Sequence, residues 1–144
     1  MDKNYESLRL QNQLCFPLYA ASREIVKKYT PYLDEIGLTY TQYITMMVVW
    51  EEEELSVKAL GARLFLDSGT MTPVLKALEK KGFVSRTRSK EDERVLLVSL
   101  TEAGRELQEK ALEIPPKVAS CIQLSPEEAG SLYQILYKIL GKEL

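Results

Sequence analysis

Cys15 is the residue of this 144-residue chain best placed for chemistry, because it lies two positions before Pro17 at the head of a predicted amphipathic helix. Proline is tolerated in the first turn of a helix, and the helix dipole favours a thiolate near the N-terminus. Hydroxyl groups that donate hydrogen bonds to the sulfur also favour the thiolate. A cysteine among apolar residues is nevertheless more often a small buried hydrophobe. The hydroxyl donors that the sequence offers are Tyr19, Tyr29, Tyr32, Tyr40 and Tyr43.

The chain is poor in histidine and cysteine, the side chains that many enzymes and metal sites use. The chain has no histidine and only two cysteines, Cys15 and Cys121, which lie far apart in the sequence. Ser-His-Asp and Cys-His catalytic sites, His-ligated zinc and a CxxC redox or zinc motif are therefore excluded. We predict no catalytic residue, no metal site and no cofactor, and we do not expect an enzyme.

The sequence gives no sign of export or of a membrane span. Its N-terminal residues, MDKNYESLRL, contain no apolar stretch typical of a secretory signal. The longest apolar run, ITMMVVW, is far too short to cross a bilayer. We therefore expect a cytoplasmic protein that has no membrane partner and keeps its thiols reduced unless oxidation is their function.

Basic residues are concentrated in one segment of a chain whose formal net charge is −2. From Lys76 to Arg94 the sequence has seven basic and four acidic residues, a local balance of +3. Such a patch could bind the phosphates of a nucleic acid and give affinity that depends on salt. A solvated charged hairpin with no partner would have the same composition.

Helical periodicity dominates the first half of the chain. Apolar spacing predicts a first helix over residues 8–29, which either starts regularly at Pro17 or kinks there, and which Pro31 ends. Gly61, inside the third helix, predicts the close approach of another backbone. The register of Pro73 in the fourth helix is left open. N-cap candidates are Thr39 or Thr41 for the second helix, Ser56 for the third, and Asp67 or Ser68 for the fourth.

The pattern changes to period two after Gly82 and then returns to helical. The segments FVSRTRS and VLLVSLT, separated by KEDER, predict a β-hairpin with a charged tip. Thr101 caps a helix over 102–114, which Pro115-Pro116 ends. The last helix starts with a capping box of Ser125 and Glu128 and carries a strongly apolar stripe, which needs a partner to bury it.

This order of elements predicts a mainly α (α+β) fold, a winged helix-turn-helix with flanking N- and C-terminal dimerisation helices. We expect one domain over 1–144, in which about 38–100 forms the DNA-binding winged helix-turn-helix. About 1–37 and 101–144 form the helical dimerisation region. In such a motif the second helix of the pair lies in the DNA major groove.

The segment DSGTMTPVLKALEKKGFVSRTRSKEDERVLLVSLTEAG resembles the MarR family of transcription regulators. Its hallmarks are the D-x-R of Asp92 and Arg94 at the wing tip and the L-T-x-x-G that begins at Leu100. The stretches NQLCFPLYAASRE, LTYTQY and LFLDSGTMTP resemble the OhrR subgroup, which senses organic hydroperoxides. Pro17 departs from the subgroup, where an ordinary helix former is usual.

The resemblance implies roles for individual residues. Arg94 would enter the minor groove from the wing, steadied by Asp92. Cys15 would be the peroxide-reactive cysteine, with Tyr29 and Tyr40, and less strongly Tyr19, as hydrogen-bond donors to its thiolate, across the dimer. Cys121 would either resolve oxidised Cys15 as an intersubunit disulfide or be only packed, leaving Cys15 to a small cellular thiol or to overoxidation. The other implied DNA contacts are Ser68, Thr70, Thr72, Lys76, Arg86 and Arg88.

The implied protein is a homodimeric repressor that binds an inverted-repeat operator in double-stranded DNA. An organic hydroperoxide oxidises Cys15, and the dimer then rearranges and releases the DNA. One alternative is a MarR-type repressor controlled by a small aromatic ligand, with Cys15 structural. A less favoured alternative is a thiol peroxidase, which would consume hydroperoxide in excess over protein.

Overall fold

The computed structural model of the chain describes residues 3–142. Two short 3-10 turns, Glu6–Leu8 and Leu10–Asn12, precede the first α-helix. The helices and strands that follow are α1 (Cys15–Glu35), α2 (Tyr40–Glu52), β1 (Glu54–Ser56), α3 (Val57–Leu64), α4 (Ser68–Lys80), β2 (Val84–Arg88), β3 (Leu96–Leu100), α5 (Glu102–Ala111), α6 (Ile114–Ala119) and α7 (Pro126–Ile139). The predicted mainly α winged-helix architecture is confirmed. None of the helices in this part of the chain combines the length and apolar character needed to cross a membrane.

The first helix is shorter at its start and longer at its end than the periodicity predicted. It begins at Cys15, so that Pro17 lies in its first turn, where a missing N–H breaks no intrahelical bond. The prediction that Pro31 ends the helix is wrong, because α1 continues to Glu35. Pro31 removes only one backbone hydrogen bond, whereas the extra turn buries Leu33 in the core. Gly37, with φ +71°, then turns the chain.

Side-chain caps fix the starts of the central helices. Thr39, not Thr41, caps α2 and forms a capping box with Gln42. Ser56 caps α3 as predicted, and Asp67 rather than Ser68 caps α4. These helices pack around a core whose central side chains are Tyr43, Met46, Val49, Leu60, Met71, Leu75, Leu78 and Val98.

The wing is an antiparallel sheet of three strands in the order β1-β3-β2, and β1 was not predicted. The strand starts at Glu54, the last of four consecutive glutamates, and glutamate is depleted in strands. In the structure each glutamate has a partner that holds the end of α2 against a neighbouring element. Glu51 and Glu52 pair with Arg63, Glu53 pairs with Arg105, and Glu54 accepts a hydrogen bond from Ser99.

The C-terminal third contains one helix more than predicted. The expectation of a single helix over 102–114 ended by Pro115-Pro116 is wrong, because α5 ends at Ala111 and both prolines lie in the first turn of α6. Proline has no N–H to lose at that position, and α6 buries Ile114 and Val118. The predicted capping box of Ser125 and Glu128 starts α7, which has no buried side chain.

Two glycines allow close backbone contacts. A Cβ at Gly61 would lie 2.5 Å from the carbonyl oxygen of Leu66, which confirms the predicted close approach. A Cβ at Gly104 would overlap the carbonyl oxygen of Phe83. Both glycines therefore let helices pack directly against a neighbouring main chain.

Replacing Gly104 with alanine is expected to lower the free energy of unfolding by about 1–3 kcal/mol, because the added methyl group displaces the Phe83 backbone. Urea denaturation followed by circular dichroism measures this change. The control is Gly130→Ala on α7, where an added Cβ meets nothing within 4 Å. That substitution is expected to stabilise by about 0.5–1 kcal/mol through helix propensity. Equal effects of the two substitutions would contradict the packing argument.

Candidate nucleic-acid interface and thiol site

Helix α4 presents a polar outer face while its inner face is buried. The Asp67 carboxylate caps the helix by accepting a hydrogen bond from the Thr70 N–H at 2.7 Å, and this hydrogen bond lowers the pKa of Asp67. The Ser68 hydroxyl is therefore not needed as the cap and is exposed at the first helical position. Thr70 and Lys76 are exposed as well. These three side chains lie where a ligand at the helix N-terminus or along its outer face could be contacted.

Thr72 is less available than the sequence suggested. Its hydroxyl donates to the Ser68 carbonyl at 2.9 Å, and the residue is half-buried. Phosphate oxygens only accept hydrogen bonds, so Thr72 offers no free donor to them in this conformation. Pro73 is the sixth residue of α4 and removes the bond to the Gly69 carbonyl.

Arg86 and Arg88 are not equivalent, although both lie on β2. The main-chain N–H, Nε and Nη2 of Arg86 all donate to the Glu79 carboxylate, at 3.0, 3.4 and 3.3 Å, and the Arg86 side chain is only 18% exposed. These contacts lower the pKa of Glu79 and attach β2 to α4. The predicted contact of Arg86 with phosphates would therefore compete with this ion pair. Arg88 is exposed, and its Nη1 donates to the Glu93 carbonyl at 3.5 Å.

The wing tip holds one exposed guanidinium in a fixed orientation. Nε and Nη2 of Arg94 donate to the two carboxylate oxygens of Asp92, each at 3.0 Å, and the Arg94 side chain is 90% exposed. The hydrogen bonds lower the pKa of Asp92. The Ser89 hydroxyl oxygen accepts from the Asp92 N–H and fixes the turn beneath. The paired geometry of Asp92 and Arg94 is as expected from the sequence.

Cys15 is the first residue of α1 and is exposed. The N-cap position, Leu14, has no side-chain hydrogen bond, so the first N–H groups of the helix are not satisfied by a cap. They give the sulfur a positive electrostatic environment. Leu14 and Phe16 on either side are also exposed, Leu14 to 82%. The Cys15 sulfur is thus bordered by exposed apolar side chains.

Three tyrosines form a cluster between α1 and α2. The ring centroids of Tyr29 and Tyr40 are 5.2 Å apart, and that of Tyr43 is 5.7 Å from Tyr29. Burial raises the pKa of Tyr29 and Tyr40, and raises that of Tyr43 to about 12. All three hydroxyls are therefore protonated donors at neutral pH. Sequence reasoning included Tyr43 among the available hydroxyls but assigned it no role. Its spacing of three residues from Tyr40 places both on one face of α2, and this spacing is the signal that predicts the cluster.

Cys15 does not meet these tyrosines within its own chain. Tyr29 follows Cys15 by 14 residues on one continuous helix, which separates them by about 21 Å along the axis. Tyr19 lies one turn from Cys15, with its ring below the Arg23 guanidinium at 5.4 Å. Any contact between the sulfur and Tyr29 or Tyr40 must therefore come from a second copy of the chain.

Cys121 lies between α6 and α7, exposed, with Sγ 3.4 Å from the Lys117 carbonyl. Lys117 in turn lies over Tyr32, 5.6 Å from its ring, near the C-terminal end of α1. Cys15 begins the same helix, and both cysteines are free. Both thiols are therefore accessible from outside their own subunit.

An apolar cavity of about 290 Å³ adjoins the tyrosine cluster. Tyr43 belongs to both, and Met47, Trp50 and Leu112 form most of the remaining apolar wall. The cavity is large enough for a small organic molecule. Among residues 3–142, by contrast, no cluster of side chains is suited to hold a metal ion.

Both ends of the chain expose apolar side chains, which we call the terminal apolar surface. Its members on α7 include Ile139, which is 58% exposed. Exposed apolar side chains that form a patch typically mark an interface with another protein chain. The surface consists of Tyr5, Leu8, Leu10, Leu14, Phe16, Leu18 and Tyr19, together with Leu124, Leu132, Tyr133, Ile135, Ile139 and Leu140.

Comparison with known proteins gives consistent results. The family model for the transcriptional regulators SarA/Rot matches residues 27–111. The organic hydroperoxide resistance transcriptional regulator of Bacillus subtilis is 47% identical over 140 residues, which are 97% of this chain and 95% of that protein. A mutant form of MarR from Escherichia coli, solved with operator DNA, shares the fold with a TM-score of 0.83 at 20% identity, covering 96% of this chain and 99% of that one.

Solved structures of AbfR, one of them described as from Staphylococcus epidermidis, are similar over almost the whole chain. Reduced AbfR bound to DNA is 37% identical with a TM-score of 0.78, covering 94% of each chain. Overoxidised AbfR bound to DNA also has a TM-score of 0.78, at 38% identity and 94% and 96% coverage. The disulfide form has a TM-score of 0.63 at 36% identity, covering 95% and 96%. This chain is thus more similar in conformation to AbfR on DNA than to its disulfide form.

Proposed function

Since the chain belongs to the SarA/Rot family of transcriptional regulators and has the MarR-type fold with an OhrR-like sequence, we propose that it is a cytoplasmic repressor whose DNA binding is switched off by organic hydroperoxides. The observation that carries the proposal is an exposed cysteine at the first position of α1, in a fold that presents a DNA-reading helix and wing. The name of the Bacillus subtilis relative supports the class of oxidant. The protein acts as a regulator and not as an enzyme.

The working form is a homodimer held by the terminal apolar surface. Burying exposed leucine and isoleucine side chains of α7 against a second copy is favourable, and a twofold dimer is the common solution. In this dimer Cys15 of one subunit contacts Tyr29 and Tyr40 of the other, since its own are out of reach. Their protonated hydroxyls donate to the sulfur and favour the thiolate.

The first chemical step is oxidation of the Cys15 thiolate by an organic hydroperoxide. The sulfur attacks the outer peroxide oxygen, the O–O bond breaks, and the alkoxide takes a proton to leave as an alcohol. The product is a sulfenic acid at Cys15, and the hydroperoxide has been reduced by two electrons. The apolar side chains beside Cys15 and the apolar cavity favour an organic oxidant over a small polar one.

The second step is condensation of the Cys15 sulfenic acid with the thiol of Cys121 from the other subunit. A sulfur–sulfur bond forms and water leaves. The comparison with AbfR supports this step as the one that releases DNA, because AbfR was solved on DNA even when overoxidised, whereas its disulfide form differs more from this chain. If the disulfide does not form, Cys15 takes a low-molecular-weight thiol or is overoxidised.

The DNA-reading surface consists of α4 and the wing. Helix α4 enters the major groove, where Ser68, Thr70 and Lys76 reach base edges or phosphates. Arg94 enters the minor groove from the wing, and Arg88 contacts a phosphate. The dimer presents two such surfaces, so the operator is an inverted repeat with half-sites about one helical turn apart.

The function is tested with a DNA duplex selected from a random-sequence library by its binding to the reduced protein. We expect one equivalent of cumene hydroperoxide to raise the operator Kd on the order of 100-fold, and dithiothreitol to restore binding. Fluorescence anisotropy measures binding, and mass spectrometry identifies the oxidised cysteine. Release by salicylate without peroxide would instead favour an aromatic-ligand regulator. Consumption of many equivalents of hydroperoxide with a dithiol reductant would favour a thiol peroxidase.

Substituting Arg88 by alanine should reduce the steepness with which operator affinity falls with salt. Loss of one phosphate contact per subunit lowers the slope of log K against log salt by about 2 per dimer. Arg86→Met is the matched variant, because Arg86 is paired with Glu79; it should leave that slope unchanged and lower the urea midpoint of unfolding. Equal slopes for Arg88→Ala and the wild type would exclude the Arg88 contact.

A further inference from the structure

Lys81 connects the C-terminal end of α4, the proposed DNA-recognition helix, to the turn between α1 and α2. We call residues 37–42 the α1–α2 corner. Its Nζ donates to the Gly37 carbonyl at 2.5 Å and to the Gln42 side-chain oxygen at 2.8 Å. Its own main-chain N–H donates to the Ala77 carbonyl at 3.1 Å and so belongs to the last turn of α4. One side chain thus spans two parts of the fold that lie about 40 residues apart in the sequence.

The acceptors of this lysine belong to a rigid corner. Gln42 is buried, with 8% of its surface exposed, and its side-chain oxygen also accepts from the Thr39 N–H at 3.1 Å. The Gln42 N–H donates back to the Thr39 hydroxyl oxygen at 3.3 Å. On the other side of the turn, the Leu38 N–H donates to the Leu33 carbonyl at 3.0 Å, and both of these leucines are buried. These hydrogen bonds connect the residues of the corner to one another.

The same corner carries the tyrosines proposed to hold the Cys15 thiolate. Tyr40 precedes Gln42 by two residues in the first turn of α2, and Tyr29 lies on α1 with its ring against Tyr40. The tyrosine cluster and the Lys81 contacts are therefore attached to one structural element. A shift of the tyrosines displaces both acceptors of Lys81, and with them the last turn of α4.

We propose that Lys81 is a positioning residue that couples the oxidation state of Cys15 to the orientation of the recognition helix. The inference rests on the proposed function, because it assumes that oxidation of Cys15 moves Tyr29 and Tyr40. Lys81 does not touch the reacting sulfur. It transmits the displacement of the α1–α2 corner to α4 through its two hydrogen bonds, so removing the ammonium group separates thiol oxidation from DNA release.

The experiment compares the operator Kd of the oxidised and reduced forms of each full-length variant, using the library-selected duplex and cumene hydroperoxide. Lys81→Met removes the donors and keeps the apolar stem, whereas Lys81→Arg keeps a charged donor. The matched control is Lys80→Met, which removes the same charge from the neighbouring exposed residue. Trapping of the sulfenic acid with dimedone measures oxidation of Cys15 independently of DNA.

In the wild type the ratio of oxidised to reduced Kd should be on the order of 100. Lys81→Met should reduce this ratio about tenfold while Cys15 is oxidised at an unchanged rate, and Lys81→Arg should restore most of it. Lys80→Met should weaken both forms equally, as loss of a phosphate contact does. The same behaviour in Lys81→Met would show that Lys81 is only a phosphate ligand and would overturn the coupling.

Two further outcomes keep the test decisive. A wild-type ratio near 1 would refute the peroxide response itself, and the coupling with it. If Lys81→Met proves too unstable to assay, hydrogen–deuterium exchange of the wild type replaces it. Oxidation should then change exchange both at residues 37–42 and in the last turn of α4. A change at the corner with none in that turn would overturn the proposal.

Discussion

Cys15→Ser is expected to bind the operator with a Kd within about threefold of the wild type and to show no response to cumene hydroperoxide. A serine hydroxyl fits the first position of α1 and would accept the hydrogen bonds that we propose the tyrosines donate to the sulfur, so the reduced conformation should be retained. Serine cannot form a sulfenic acid. The ratio of the Kd with peroxide to the Kd without it, on the order of 100 in the wild type, should therefore be about 1 in this variant. Anisotropy titrations of the selected duplex with and without peroxide measure both values.

Cys121→Ser separates oxidation from release. The mass of this variant should increase at Cys15 on exposure to peroxide, because the first step does not use Cys121. No covalent dimer should appear on a non-reducing gel, and most of the operator affinity should remain. Complete release by this variant would show that oxidation of Cys15 alone breaks the DNA complex. Release of DNA by peroxide in Cys15→Ser would show that Cys15 is not the sensor.

Local signals predicted the fold well wherever a short motif determines the backbone. The capping box at Ser125 and Glu128, the caps at Ser56 and Thr101, and the close approach at Gly61 are all present in the structure. Each depends on a few neighbouring residues, and each is visible in one stretch of sequence. The strongest part of the prediction was thus the part that needs no knowledge of distant contacts.

The errors came from contacts between distant residues. Strand β1, Glu54–Ser56, directly follows a run of glutamates and forms because Leu55 pairs with Val98, far along the chain. Pro31 fails to end α1 because burial of Leu33 outweighs one lost hydrogen bond. Arg86 and Arg88 are the same residue type on the same face of one strand. They differ because the Glu79 carboxylate lies beside Arg86. Tertiary context determined each of these features, and periodicity carries no information about it.

The candidate site divides in the same way. The pairing of Asp92 with Arg94 was predictable, because two residues on a tight turn determine it. The contact of Lys81 with Gly37 and Gln42 was not, because no pattern in the sequence relates these positions. The partners implied for Cys15 were also beyond local patterns, since Tyr29 lies about 21 Å from Cys15 along the same helix. In the proposed dimer, the second subunit supplies these tyrosines.

Arg94→Ala is expected to weaken operator binding by the reduced protein by roughly 100-fold or more, because the dimer loses two minor-groove contacts. The guanidinium is almost fully exposed, and among residues 3–142 its hydrogen bonds go to Asp92, so its removal should leave the fold intact. Thermal unfolding should therefore remain close to that of the wild type. Anisotropy titrations of the reduced protein at two salt concentrations provide the measurement.

Two companion variants separate the effect of the orientation of the Arg94 guanidinium from the effect of its charge. Lys90→Ala removes one positive charge from the same loop and should cost far less affinity, because a charge near the wing tip acts only through the general attraction to phosphates. Asp92→Asn leaves Arg94 charged but removes the carboxylate that orients it, so it should fall between the other two. Equal losses for Arg94→Ala and Lys90→Ala would mean that the wing contributes charge alone and that the fixed guanidinium does not read the minor groove.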